Sequence, residues 1–87
     1  MKADHQKVSR QLKIAKGQIE GLLRMVDEDA YCIDVSNQLM ATIALLKRLN
    51  AVVISAHLES CVKGAKSEEE ADEKIKEVES LILRLSD

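Results

Sequence analysis

Residues 32–62 read CIDVSNQLMATIALLKRLNAVVISAHLESCV, thirty-one positions without a glycine or a proline. Nothing in this run breaks a helix, and Leu, Ala, Met, Lys and Gln are strong helix formers. The reading is one long helix from about Cys32 to Val62, on the order of 45 Å at about 1.5 Å per residue, with Gly64 as its stop signal. Leu39, Leu45, Leu46, Leu49, Val52, Val53 and Ile54 fall on more than one side of it. A single neighbouring helix cannot cover such a surface.

Working outward, Val8, Leu12, Ala15, Ile19, Leu22, Leu23 and Val26 repeat at threes and fours over about residues 4–27, which predicts an amphipathic helix. Gly17 and Gly21 lie inside it. Each costs about 1 kcal/mol relative to Ala in a helix interior, so the expectation is that another helix passes close by. Asp27-Glu28-Asp29-Ala30 is a short polar turn that folds the first two helices into an antiparallel hairpin. Downstream, Ser67-Glu68-Glu69-Glu70 fits a capping box, and Ala71, Ile75, Val78, Ile82 and Leu85 form the stripe of a third helix. The expected architecture is all-α, three helices in a single domain over residues 1–87. A chain of 87 residues buries only about 60% of its extended surface, which calls for assembly. The simplest remedy is a homodimer closing into a four-helix bundle.

Composition narrows the partners. Apolar residues make up 46% and charged residues 32%, ordinary for a folded chain. Tyr31 is the one aromatic, which excludes stacking platforms for single-stranded nucleic acid or sugars. The net charge of −2 hides an asymmetry: up to residue 26, Lys2, Lys7, Arg10, Lys13, Lys16 and Arg24 face only Asp4 and Glu20, whereas from residue 49 onward nine acids outnumber five bases. No apolar run approaches the roughly 18 residues of a membrane helix, and the first residues lack the apolar core of a signal peptide. The expected location is the cytoplasm, without a membrane partner. There the two cysteines are read as thiols with a chemical role or as packing residues rather than as a structural disulfide.

His57 and Cys61 are four apart on the long helix and therefore share a face. Cys32 precedes His57 by 25 positions; at about 100° per residue that falls roughly 20° short of seven turns, which places it on the same stripe but about 37 Å away. One helix cannot gather the three. Two antiparallel copies crossing near Leu45 and Leu46 can, with Leu39, Ile43, Leu46 and Ile54 as the seam and two identical sites, each assembled from both chains. Two thiolates and one imidazole suit Cu(I), and leave a structural tetrahedral Zn site one ligand short; Zn completed by water is the lesser alternative. His5, beside Asp4, is read as solvated rather than as a fourth ligand.

Ala30-Tyr31-Cys32-Ile33-Asp34-Val35, the gap to His57, the His57-x-x-x-Cys61 pair, and Gly17-Gln18-Ile19-x-Gly21-x-x-x-Met25 together resemble the copper-sensing operon repressors of the CsoR/RcnR type over nearly the whole chain. The Cys–His–Cys set resembles the copper branch; a nickel/cobalt branch has His at the last position, and a persulfide-sensing branch lacks the His. The resemblance implies a helical dimer of dimers that binds operator DNA when metal-free and releases it on binding Cu(I). It implies roles around the site for Tyr31 and Glu77, linking it to the third helix. Three positions depart from the family pattern: Ile14 and Glu20 stand where Arg is common, and Ala56 replaces an acidic residue.

For double-stranded DNA, Lys7, Arg10, Lys13 and Lys16 recur at threes as a basic band, and Lys47 and Arg48 add charge on the second helix. Phosphate contacts of this kind dominate affinity and make it salt-dependent. Two other readings stand beside the copper repressor: a repressor sensing persulfide or oxidant through Cys32 and Cys61, and a metal-buffering bundle with no DNA role. No nucleophile–base set or phosphate loop points to an enzyme.

Overall fold

The computed structural model describes residues 1–85. It contains three α-helices, α1 (His5–Asp27), α2 (Cys32–Gly64) and α3 (Glu68–Leu85), so the all-α expectation holds and the boundaries fall within two residues of those read from the sequence. The contacts gather into two compact units, His5–Leu49 and Met1–Asp4 with Asn50 onward.

The first unit is a helical hairpin. α1 ends in a Schellman arrangement: the Ala30 N–H donates to the Met25 carbonyl at 2.9 Å and the Asp29 N–H to the Val26 carbonyl at 3.1 Å. Asp29 takes the left-handed conformation, φ 54°, where glycine is usual. α2 starts at once, the Tyr31 carbonyl accepting its first bond from the Val35 N–H. Val8, Ala15 and Leu22, each a heptad apart, are buried on α1, and Thr42, Leu45 and Leu49 on α2. Thr42 donates to Gln18 Oε1 at 2.7 Å. Gln18 and Thr42 stand nearly equidistant from the turn, as antiparallel helices require.

The second unit buries Ala3, Ile54 and Val78. Ser67 caps α3: its Oγ accepts the Glu70 N–H at 3.1 Å, while the Glu70 carboxylate reaches back to the Lys66 N–H at 3.3 Å, one residue short of a full capping box. Glu68, Glu69 and Glu70 in the first turn complement the positive end of the helix dipole. α2 ends at Gly64 without a left-handed cap.

Three expectations need correction. No helix passes close to Gly17 or Gly21: a Cβ at Gly17 would meet nothing within 4 Å, and one at Gly21 only the Arg24 guanidinium at 3.7 Å. Among the described residues, then, the expected close approach is not made. Of the four proposed seam residues, Leu39, Ile43 and Leu46 are exposed, but Ile54 is buried, 8% exposed, in the core of the second unit; it lies about 60° from Leu39 around the helix, far enough to turn inward. The absence of an uninterrupted apolar run also understates α2. Although Lys47 and Arg48 interrupt it, α2 contains an 18-residue window of mean hydropathy 1.6, of which only 22% is buried. By length and composition alone such a helix could cross a membrane.

Leu12, Ile19, Leu23 and Val26 on α1 and Leu39, Ile43 and Leu46 on α2 are exposed together in the hairpin. Leu12, Ile19 and Val26 form a second heptad row beside the buried one. The hairpin thus spends one apolar row on its own closure and leaves another open.

Candidate metal centre and basic face

His57 and Cys61 meet because a helix brings positions i and i+4 together: Cys61 Sγ lies 3.4 Å from His57 Nε2. A sulfur and a nitrogen bound to one tetrahedral metal at about 2.3 and 2.0 Å are roughly 3.5 Å apart, a separation close to that of this pair. His57 is exposed and Cys61 half-buried. Both open toward solvent, which leaves an entry path.

Cys32 opens α2 in the other unit, exposed and carrying a free thiol, as Cys61 does. It borders a cleft of 280 Å³ lined mainly by Val26, Val35, Ser36 and Leu39. Among the described residues no three His, Cys, Asp or Glu side chains come together in a metal-holding group. The described residues therefore hold a His57–Cys61 couple and, in the other unit, a single thiol at Cys32.

His57 also lines a groove of 490 Å³, together with Val53, Ile54, Leu81, Lys2 and Arg84. Glu59, between His57 and Cys61 in sequence but on another face, pairs with Lys63 at 2.9 Å. That hydrogen bond and the lysine charge lower the pKa of its carboxyl. Tyr31 is exposed (67%) at the start of α2, and Glu77 on α3 lies 3.8 Å from the Lys74 ammonium.

Lys7, Arg10, Lys13, Lys16, Lys47 and Arg48 are all exposed. The α1 band, however, is a spiral: a step of three residues turns back about 60°, so Lys7 and Lys16 end on opposite sides. Arg10 and Lys13 share a shallow depression with His5, Gln6 and Ser9. Arg24, not assigned to the band above, stands on the face of Arg10, with Gly17 between them at heptad intervals. The 10-17-24 spacing is the signal that would have found it.

Comparison with known proteins finds relatives of this chain. A family model described as metal-sensitive transcriptional repressor matches residues 4–84. The copper-sensing transcriptional repressor CsoR of Mycobacterium ulcerans is 46% identical over 54 residues, 62% of this chain and 46% of that protein, so the matched chain spans less than half of that relative's length. The copper-sensing transcriptional repressor RicR of Mycobacterium tuberculosis is 37% identical over 79 residues, 88% of this chain and 82% of its own. Among solved structures, the nickel-responsive transcriptional regulator InrS superposes with a TM-score of 0.79 at 25% identity, covering 98% of this chain and 96% of that one.

Proposed function

The chain belongs to the metal-sensitive transcriptional repressors, and from that premise we propose that it is a cytoplasmic copper sensor, binding double-stranded operator DNA when metal-free and releasing it when Cu(I) is bound. The observation that carries this reading is the His57–Cys61 couple at 3.4 Å. It is a preformed pair of ligands that lacks a third, and an exposed thiol at Cys32 stands on the same helical stripe. The partner subunit's Cys32 completes the set. Bound there, the metal supplies a soft cross-link between subunits. Two thiolates and an imidazole favour Cu(I), whereas Ni(II) prefers nitrogen and oxygen ligands and structural Zn wants a fourth protein ligand.

Assembly follows from the open apolar row. Leu12, Ile19, Leu23 and Val26 with Leu39, Ile43 and Leu46 form a face of the kind that four-helix bundles bury. A homodimer covers it, and two dimers form the tetramer. The uncovered apolar surface of α2 is thus read as a protein interface rather than as a membrane span.

Arg10, Lys13 and Arg24, with Lys7, Lys16, Lys47 and Arg48 around them, meet phosphates. Release is linkage: an arrangement that brings the partner's Cys32 to His57 and Cys61 gains population when metal is present, and the operator-binding arrangement loses it. Tyr31, next to Cys32, and Glu77 on α3 connect the site to the rest of the fold. The test is anaerobic Cu(I) titration of the protein on DNA from upstream of its own gene, across a salt series. The expected result is steeply salt-dependent binding that is lost at about one Cu(I) per chain; undiminished binding at stoichiometric Cu(I) would sink the proposal.

A further inference from the structure

Thr42 is the buried polar residue of the hairpin, 5% exposed in a row continued by Leu45 and Leu49. Its hydroxyl carries one proton and has two acceptors in range, Gln18 Oε1 on α1 at 2.7 Å and the Gln38 carbonyl one turn back on α2 at 3.1 Å. One proton cannot serve both fully. The Gln18 amide, however, has an NH₂ group beside its oxygen, and a half-rotation of the amide exchanges the two.

The couple therefore has two complete arrangements. In one, Thr42 donates to the Gln18 oxygen. In the other, the Gln18 NH₂ donates to Thr42 Oγ1, and Thr42 gives its proton to the Gln38 carbonyl. Neither leaves a buried polar group without a partner, so neither carries the penalty of an orphaned donor or acceptor. The second is the back-bonding of a threonine to the carbonyl four residues earlier, which bends helices. The direction of this one proton is thus tied to the curvature of α2 at residues 38–42, and hence to where the Cys32 end of α2 points relative to α1.

We propose that Gln18 and Thr42 are positioning residues of the copper response: a two-state joint between α1, with its basic face, and the stretch of α2 that carries Cys32. The inference rests on the copper-sensor reading. Neither residue contacts metal or DNA; the couple acts by fixing two discrete orientations of Cys32 against α1, so that capture of Cys32 selects one of them and the basic face follows. Packed interfaces transmit small shifts well when they have two discrete arrangements.

Thr42→Val keeps the shape and removes the hydroxyl. Thr42→Ser keeps the hydroxyl. Gln18→Glu, ionised, keeps acceptor oxygens but has no NH₂, which pins the Thr42 proton toward α1. For each full-length variant, operator affinity is measured metal-free and with one equivalent of Cu(I), and Cu(I) affinity by chelator competition. Thr42→Val and Gln18→Glu should bind Cu(I) within about twofold of the parent, while the ratio of the two operator affinities falls at least about fivefold, the lower edge of ordinary allosteric coupling. Thr42→Ser should restore the ratio. A packing role alone would not move this ratio at constant Cu(I) affinity, and Gln18→Glu keeps the test open should Thr42→Val not fold. If both variants retain the parent's ratio, the inference is overturned while the copper-sensor reading stands; if the parent itself shows no Cu(I)-linked drop, the reading fails and takes the inference with it.

Discussion

The hairpin of residues 5–49 closes around Val8, Ala15, Leu22, Leu45 and Leu49 with the Gln18–Thr42 couple inside it, whereas residues 50 onward gather around Ile54 and Val78 and leave the His57–Cys61 couple beside an open groove. A polar pair serves each region, but in opposite ways. Inside the hairpin, the hydrogen bond satisfies the hydroxyl of Thr42, which is only 5% exposed. At the open couple, imidazole and thiol pair with each other, at a place that solvent reaches. The hairpin also carries the Cys32 thiol, so each region holds part of the proposed ligand set.

The comparison can be broken first through the hairpin core. Leu22→Ala removes a buried side chain from a small core, and should cost about 2–5 kcal/mol, read as a lowered urea midpoint. A cost below about 1 kcal/mol would mean that the hairpin does not depend on that row. Next, Leu23→Glu changes the open row rather than the buried one. It should leave helicity by circular dichroism intact and dissociate the dimer in sedimentation; an unchanged sedimentation coefficient would mean that this face is not the interface.

Smaller effects sharpen the picture. Gly17→Ala places a methyl in open space within a helix, and should raise stability by about 1 kcal/mol in thermal unfolding; a loss would reveal that another chain packs there. Glu59→Gln should change little. The Lys63 pairing lowers the folded-state pKa of Glu59, so its contribution is present above the ordinary glutamate range and disappears as pH falls through the depressed value. Both side chains are solvated, so salt should erase any difference between variant and parent in the urea midpoint at neutral pH.

The helices were legible because their signals are local. A run without Gly or Pro, Ser67 three residues before Glu70, and the polar turn after Asp27 each act within a few residues. The His57–Cys61 couple was legible for the same reason, since i,i+4 spacing dictates proximity. What escaped depends on contacts across the fold. Asp29 in a left-handed conformation gives no composition signal of the kind a glycine would. Ile54 belongs to a stripe by angle but turns inward because Val78 and Ala3 gather with it in the second unit. The Gln18–Thr42 bond joins residues 24 apart, and only the antiparallel register makes them neighbours. The open Gly17 face was misread because a helical glycine signals that something needs room without saying whether it lies in the same chain.

The central claim is that the metal site is shared between chains, and subunit mixing tests it most directly. Cys32→Ala alone and Cys61→Ala alone should each lose Cu(I) affinity by more than the roughly 10–100-fold that an outer partner costs. Refolded together, they form heterodimers in which the intact Cys32 of one chain meets the intact His57 and Cys61 of the other. The account predicts recovery of tight Cu(I) binding at one ion per heterodimer. If the mixture binds no better than either variant alone, the site is not assembled between subunits and the account is wrong.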